Sequence, residues 1–520
     1  MPEQKTDQYH GIELSKKDVE VLEILENQFN ESLPNVEEIR FDTFGFTTKD
    51  DKLIGLGLFN KNIDNLPDSI QNLQHLEKLV ARFNKMKTLP NWFGDLKNLK
   101  EFNFRSNPIS SLPDSICDLP NLEVFIFNNS RLTSLPENIG NLSNLKQLWI
   151  EYGVLQSLPD SIGKLKKLEL LALEDVKLTT LPESLGQCTN LEFIRLDDNQ
   201  LTSLPESIGN LSNLEGLDVS DNNLTSLPES IGNLSKLVSF FAHRNQLTSI
   251  PDTICNLSNL YALQLFHNKL ELLPEKIGEL TNLVYLLVMS NYLKSIPKSI
   301  GKLKKLTALK LTNNKITELP RSIGNLEKLQ ELYLDNNHLS KIPESIGNLK
   351  NLHELNLKSN QLSEIADSIC DLINLQLFNI SNNFITSLPD SIGKLSNLRI
   401  FNVSDNRLKN LPDSIGDMSN LQDLILGYNE ISSLPDSFGQ LNNLQRLVLQ
   451  KNFLESIPKS FKQLANLTDL NLKSVSLSSL PEEIIDLPKL KYLWVKSHWW
   501  ISISEDSLKK IEKNGCKVFR

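Results

Sequence analysis

At 520 residues, 39% hydrophobic and 23% charged, with a formal net charge of −10, the chain has the composition of a water-soluble protein. The acidic balance argues against a nucleic-acid binder, which needs a basic face to neutralise phosphates. No stretch reaches the ~18 apolar residues of a membrane span, and Met1 to Gly11 is polar, without an apolar leader, so a cytoplasmic protein is expected.

Residues 1–52 read as an N-terminal cap made of a helix and a hairpin. Ser15 is placed as a helix N-cap with Asp18 three residues on, and Leu14 and Val19 are placed as a hydrophobic staple. Val21, Leu22, Leu25 and Phe29 then give the helix one apolar side. Val36 to Phe41 alternates as a strand would, and Thr47 to Lys52 reads as a polar turn into Leu53.

Residues 53–495 are repetitive. A Leu-Pro or Ile-Pro pair recurs every 23 residues from Leu66-Pro67 to Leu480-Pro481, nineteen sites in phase, broken only at Ile365-Ala366. A fixed period of this length means a solenoid whose coils touch mainly their neighbours, so the chain builds a surface and not a pocket. In the coil Leu214 to Lys236, the segment Leu217-Asp218-Val219 alternates in-out-in as a short strand, and stacked coils join such strands into a parallel sheet. Pro228 suits the first turn of a short helix or 3-10 segment. Gly232 is expected to end that turn early, with Ile231 and Leu234 facing the core. Asn222 holds the ninth position, which is asparagine in fourteen of the nineteen repeats. Turned inward, it must satisfy both its donors and its acceptor on backbone groups of the neighbouring coils, which makes a ladder.

The pattern Leu-x-x-Leu-x-Leu-x-x-Asn-x-Leu-x-x-Leu-Pro-x-x-Ile-x-x-Leu resembles the leucine-rich repeat, and its length and Leu-Pro-x-x-Ile-Gly-x-Leu segment are similar to the intracellular Ras-group class and to bacterial and archaeal arrays. The resemblance implies an α/β solenoid curved as a horseshoe. A parallel sheet would line the concave face, short helical or 3-10 turns the convex face, and helical caps both ends. It also implies small GTPases or their regulators as candidate partners. The cap at residues 1–52 resembles the helix-plus-hairpin cap of plant relatives without its cysteines.

Residues 496–520 read as the C-terminal cap. Val475 takes the asparagine position and His498 the next one. Ser504 caps a helix over Glu505 to Lys513, with Ile503 and Leu508 as its staple and Gly515 near its end. Trp499, Trp500, Leu508, Ile511 and Val518 would close the core. The rival reading of the cap helices, membrane-surface binding, finds no unusual charge to support it.

Chemistry is not evident. There is no phosphate-binding Gly-rich loop with Lys-Ser/Thr, no paired histidines at helical spacing and no Gly-x-Ser-x-Gly elbow. Cys117, Cys255 and Cys370 lie too many coils apart for disulfides, and Cys188 and Cys516 add no pairing motif. His243 and His267, with Asp221, could share a metal, but no third imidazole supports them. No enzyme activity, cofactor or metal is therefore expected.

Function is expected on the outward strand positions, in three zones. Ile126, Trp149 and Tyr152 accompany a failure of the asparagine ladder at Ser130, Gly153 and Val176. The residues there read either as a binding anchor or as a local packing repair. Glu151, Glu174, Asp175, Asp197, Asp198, Asp218 and Asp221 form an acidic band with Arg195 among them. Strands ~4.8 Å apart let those carboxylates reinforce one another's field and steer a basic partner surface. Phe241, His243, Arg244, Phe266, His267, Leu287, Met289, Tyr292, Lys310 and Tyr333 mix aromatic and basic side chains as an interface core does. From Asn356 to Asn402 the face turns small and polar, and Lys451, Lys473 and Lys496 give the last coils a positive rim. The function expected is a scaffold that holds a folded protein; the alternative is a regulator that occludes a phosphatase or nuclease.

Overall fold

The computed structural model describes residues 6–495 and 505–519. Two compact units divide the chain, Met1–Leu260 and Tyr261–Arg520.

The first unit opens on a hairpin absent from the sequence reading, β1 (Thr6–Tyr9) antiparallel to β2 (Ile12–Ser15). Helix α1 (Lys16–Phe29) follows, and Ser15 Oγ accepts from the Asp18 amide at 3.2 Å, as an N-cap should. The reciprocal half of the capping box is not made. The Asp18 carboxylate, 2% exposed, accepts from the Leu53 amide at 3.1 Å, and the Ser15 amide donates to Asp51 at 3.0 Å. Asp18 thus ties the helix to the first coil. Val19, Val21, Leu22 and Leu25 face the core.

The expected strand over Val36 to Phe41 does not form; only Asn35 bridges to Phe46. The hairpin lies later, β3 (Phe44–Lys49) antiparallel to β4 (Lys52–Leu58). Phe46 is fully buried, whereas Phe41 is 63% exposed with its ring 5.2 Å from the Arg82 guanidinium carbon, so the apolar anchor lies further along the chain than the alternation suggested. The turn shrinks to Asp50-Asp51, both at positive φ, which aspartate tolerates better than most residues.

After β4, each coil of the first unit contributes a three-residue strand paired in parallel with a strand one repeat away. Gly216–Asp218, for example, lies between Phe193–Arg195 and Ser239–Phe241. Leu217 and Val219 are buried while Asp218 is half-buried on the outer row. The return path makes a 3-10 turn, Glu229–Asn233, with Ile231 and Leu234 fully buried. Pro228 stands before that turn in extended backbone (φ −68°, ψ 148°), so it caps the turn and does not occupy its first residue.

Gly232 lies inside the turn and does not end it. A Cβ there would overlap the backbone oxygen of Thr253 in the next coil, so glycine sets how closely successive turns stack. The cysteine substitutions show what happens otherwise. After Cys117 and after Cys370, each buried at the equivalent position, the next turn shortens to three residues, Ile139–Asn141 and Ile392–Lys394. Gly232→Ala is accordingly expected to cost about 1–2 kcal/mol, less than a rigid clash would, because the next turn can open. A lowered urea midpoint with unchanged far-UV circular dichroism is the readout.

The second unit repeats the same coil from the strand Ala262–Gln264 to the strand Tyr492–Trp494. Short helix α2 (Glu482–Ile485) replaces the last 3-10 turn. Helix α3 (Glu505–Lys513) forms over the expected residues and Ile511 is 2% exposed. A further strand, Lys517–Phe519, pairs in parallel with Tyr492–Trp494, and Phe519 stacks on Trp494 at 5.0 Å. Strand pairing leaves Val518 half-buried, so it closes the core less fully than expected. The roles assigned to Lys496, His498, Trp499, Trp500, Ile503, Ser504 and the Leu508 side chain fall outside the described residues. No helix among the described residues is long and apolar enough to cross a membrane.

Candidate protein-interaction face

The strand ends of neighbouring coils are tied together by the asparagine ladder. Asn222 Nδ2 donates to Leu196 O at 2.8 Å, Val219 O at 3.2 Å and Ser220 O at 3.0 Å, while its Oδ1 accepts from the Leu201 amide at 2.9 Å. Both ends of the amide are therefore satisfied by backbone that the strand leaves unpaired. The fourteen ladder asparagines are all buried. A second ladder went unread in the sequence. Asn213 Nδ2 donates to Thr189 O, and Asn420 Nδ2 to Ser396 O, at the start of their coils. The in-phase Asn-Leu dipeptide was its signal.

Where the first ladder fails, the structure repairs it by packing. Gly153 leaves room for the Val176 side chain, 3.4 Å from where its own Cβ would be. Ser130 Oγ accepts from the Leu132 amide at 3.4 Å, and Asn199 Oδ1 accepts from the Val176 and Leu178 amides at 3.2 and 2.9 Å. Glu151 turns inward with them. It is 6% exposed, and its Oε2 accepts from Asn128 Nδ2 at 2.7 Å. Trp149 is half-buried with its indole donating to Gln147 at 3.2 Å, and Tyr152 is exposed beside it.

The acidic band is real, but it is graded in depth. Glu151, Glu174 and Asp197 occupy one row on successive coils, and Asp175, Asp198 and Asp221 occupy the next. Arg195 Nη2 donates to Glu174 Oε2 at 2.8 Å, and Tyr152 Oη donates to Glu174 Oε1 at 3.0 Å. Lys177 pairs with Asp175. His243 Nε2 lies 3.7 Å and Arg244 Nη1 3.5 Å from the Asp221 carboxylate. Burial, with the charges of Asp218 and Glu174 added, pushes the Asp197 carboxyl up to about 6 against Arg195. Asp198 is raised by burial and then by Asp221 and Asp175. Glu151 is raised by burial and then by Glu174. Asp218 Oδ1 accepts from Ser220 Oγ at 2.5 Å, which turns it along its own strand.

The mixed zone divides between the units. Phe241, His243 and Arg244 belong to the first. Phe266, His267, Leu287, Met289, Tyr292, Lys310 and Tyr333 belong to the second, so a histidine metal pair is not assembled within either unit. In the second unit Phe266 and His267 are 5.7 Å apart edge to face, and Lys315 sits 4.5 Å over the exposed Tyr292 ring. Lys310 lies 4.8 Å over Tyr333, whose hydroxyl donates to Glu354. Burial and that carboxylate both raise the Tyr333 phenol. Leu287 and Met289 are half-buried between these.

Three aromatics were missed because they precede the positions read as outward. Tyr261 and Tyr285 are both exposed and pair at 5.4 Å. Phe193, 43% exposed, lies over Gly216, where a Cβ would come within 2.8 Å of its ring. The glycine opposite Phe193 in the parallel register was the available signal.

The leucine-rich repeat region family matches residues 94–192, 182–271, 268–383, 359–470 and 387–514. A Leptospira interrogans LRR protein is 32% identical over 88% of this chain and 99% of its own, with a TM-score of 0.56. YopM from Yersinia enterocolitica is 27% identical over 85% of this chain and 91% of its own, with a TM-score of 0.61. The Arabidopsis receptor kinase HAESA, solved in complex with the peptide hormone IDA and the co-receptor SERK1, is 26% identical over 93% of this chain and 92% of its own, with a TM-score of 0.56. No curated protein sequence matches the chain. The paired parallel strands, the buried asparagine ladder and these matches agree: the chain belongs to the leucine-rich repeat family, and its fold is the α/β solenoid of that family.

Proposed function

We propose that the protein is a non-catalytic scaffold that holds a folded protein on its strand face. The observation that carries this reading is the group of partly exposed aromatics on and beside two strands of the second unit, Tyr261, Tyr285, Phe266 and Tyr292, with Leu287 and Met289 half-buried on the same coils. Aromatics and Met on a rigid sheet give large contact area at little entropic cost, which is what an interface core needs. HAESA, a relative of similar length, was solved with a peptide ligand and a protein partner, which supports a protein ligand here. The buried thiols Cys117, Cys188, Cys370 and Cys516 fit a reducing compartment, and the reading carries a cytoplasmic location with it. A small GTPase is the partner class that the Ras-group likeness suggests.

Tyr285→Ala with Tyr292→Ala should lose at least ~10-fold in partner recovery from native lysate of the source organism, as removal of interface anchors does. Unchanged recovery by the folded double variant removes this surface from the scaffold reading. The acidic band favours a second reading, a regulator that covers the basic site of a phosphatase or nuclease. Binding that weakens steeply with salt, and that is lost on Asp197→Lys with Asp198→Lys, separates it from the first.

A further inference from the structure

We propose that Arg82 and Arg105, flanked by Phe41 and Phe83, form a binding site for a phosphoserine or phosphothreonine carried on a segment of a partner protein. The two arginines each stand two residues ahead of a ladder asparagine, Asn84 and Asn107, on adjacent coils of the first unit. Their strands, Lys78–Val80 and Glu101–Asn103, pair in parallel, and the Phe83 amide donates to Arg105 O at 3.0 Å. Neighbouring strands lie ~4.8 Å apart, so two fixed positive charges share one small area of an acidic protein.

Three observations set this pair apart from an ordinary basic surface. The first is that its charge is unanswered. The lysines around it are neutralised, Lys78 by Glu101 at 2.9 Å and Lys100 by Glu77 at 2.8 Å. Among the described residues no carboxylate forms an ion pair with Arg82 or Arg105. Burial, and then the charge of Arg105, lower the Arg82 guanidinium, and Asp42 offsets this only in part. The second is that Arg82 is held in place with donor capacity left over. Its Nη1 donates to Phe41 O at 3.1 Å, and its guanidinium carbon lies 5.2 Å from the Phe41 ring and 5.6 Å from the Phe83 ring. Its Nε is buried without an acceptor among the described residues. A guanidinium fixed in advance loses little entropy when it binds an anion. The third is Phe83 itself, which sits at φ 58°, where Asn129, Asp198, Asn313 and Asn382 hold the in-phase place in other coils. A bulky ring is strained in left-handed backbone that those residues tolerate. Phe83 is exposed, as is Phe41, so little core burial offsets that strain.

A phosphate monoester carries close to two negative charges at pH 7 and three acceptor oxygens, which matches two guanidiniums; a carboxylate carries one charge. The two exposed rings favour a peptide over free phosphate, because an apolar residue beside the phosphorylated one would cover them. The site rests on the reading that this face holds protein. Its assay uses a synthetic peptide and no lysate, so each can fail without the other.

The test is fluorescence anisotropy of the full chain with a labelled, C-terminally amidated nonapeptide that carries phosphoserine between leucines. Binding should be saturable, and the unphosphorylated peptide should bind at least ~10-fold more weakly. Arg105→Gln should weaken the phosphopeptide by a similar factor, and its side chain makes no hydrogen bond among the described residues that the change would break. Arg82→Lys keeps the charge but loses the planar fork and should cost ~3-fold or more. Phe83→Asn suits the left-handed backbone, so weaker binding by that folded variant separates recognition from stability. Affinity should fall as the pH drops below ~6, where the phosphate regains a proton. Lys451→Gln in the second unit is the control and should change nothing. Equal affinity for the two peptides overturns the proposal, as does phosphopeptide affinity that survives both arginine changes. Inorganic phosphate that displaces the peptide at equimolar concentration would assign the arginines to a free anion. An unphosphorylated peptide with a free C-terminal carboxylate that binds as tightly would assign them to a chain end. Either result overturns the proposal.

Discussion

Asn222→Ala is expected to destabilise the first unit by about 2–3 kcal/mol, while Asn223→Ala next to it should cost less than about 0.5. The two residues share a type and a neighbourhood but differ in what they satisfy. Asn222 is 5% exposed and its amide engages three carbonyls and one backbone N–H. Removing it leaves the buried Leu201 amide without that acceptor, at ~1–3 kcal/mol before relaxation, and takes one of two donors from Leu196 O, which keeps Asn199 Nδ2 at 3.0 Å. Asn223 is exposed, and its backbone amide, which bonds Leu201 O at 2.9 Å, survives the change. In a solenoid the loss is also directional, because each coil is held by its two neighbours. Limited proteolysis should therefore open the Asn222→Ala chain near coils 199–245 before other regions. Equal urea midpoints for the two variants would show that the ladder tidies the strand ends without holding them together.

The ladder was legible because its signal is positional: one residue type, one phase, many copies. The same holds for Leu217, Val219, Ile231 and Leu234, whose burial follows from spacing alone. Other features are set between coils, at a sequence distance where a single repeat gives no hint. Gly232 read as a turn terminator because within its own coil glycine weakens helices; its reason lies 21 residues on, at Thr253. Glu151 read as an outward acid because its row is outward in other coils. It turns in because Asn128, one coil back, offers an amide, and because Gly153 and Val176 have replaced the ladder beside it. Tyr285 and Phe193 escaped because the outward row was taken to begin after the first strand leucine, whereas the pleat also exposes the residue before it; Tyr261 stands exposed one residue ahead of its strand, Ala262–Gln264. The strand over Val36 to Phe41 failed for a different cause. Alternation over six residues is weak evidence when the apolar member at its end, Phe41, has no core to enter.

Asp197→Asn is expected to stabilise the protein by about 1–2 kcal/mol at pH 7–8, with the gain fading as the pH falls toward 4. The sign follows from which way the carboxyl is displaced. In the folded chain it is held up at about 6, chiefly by burial and then by Asp218 and Glu174, above its ordinary value of 3.8. A raised acid contributes stability only while protonated, so its contribution is complete below the unfolded value and is lost as the pH rises through the folded one. Above pH ~6 the ionised Asp197 is therefore a cost, and the neutral amide removes it. A rise from 3.8 to about 6 corresponds to ~3 kcal/mol at most, and partial solvent access reduces that. The amide also offers a donor toward Asp218 or Glu174, whose charges would otherwise repel the parent side chain. Salt should shrink the gain only in part, since the largest cause is burial and salt screens only the charge component. Thermal melts of parent and variant at pH 4.5 and 7.5 measure the effect directly: a gain at both pH values would assign it to packing, and a loss at pH 7.5 would mean that the ionised Asp197 is held by a donor within the fold.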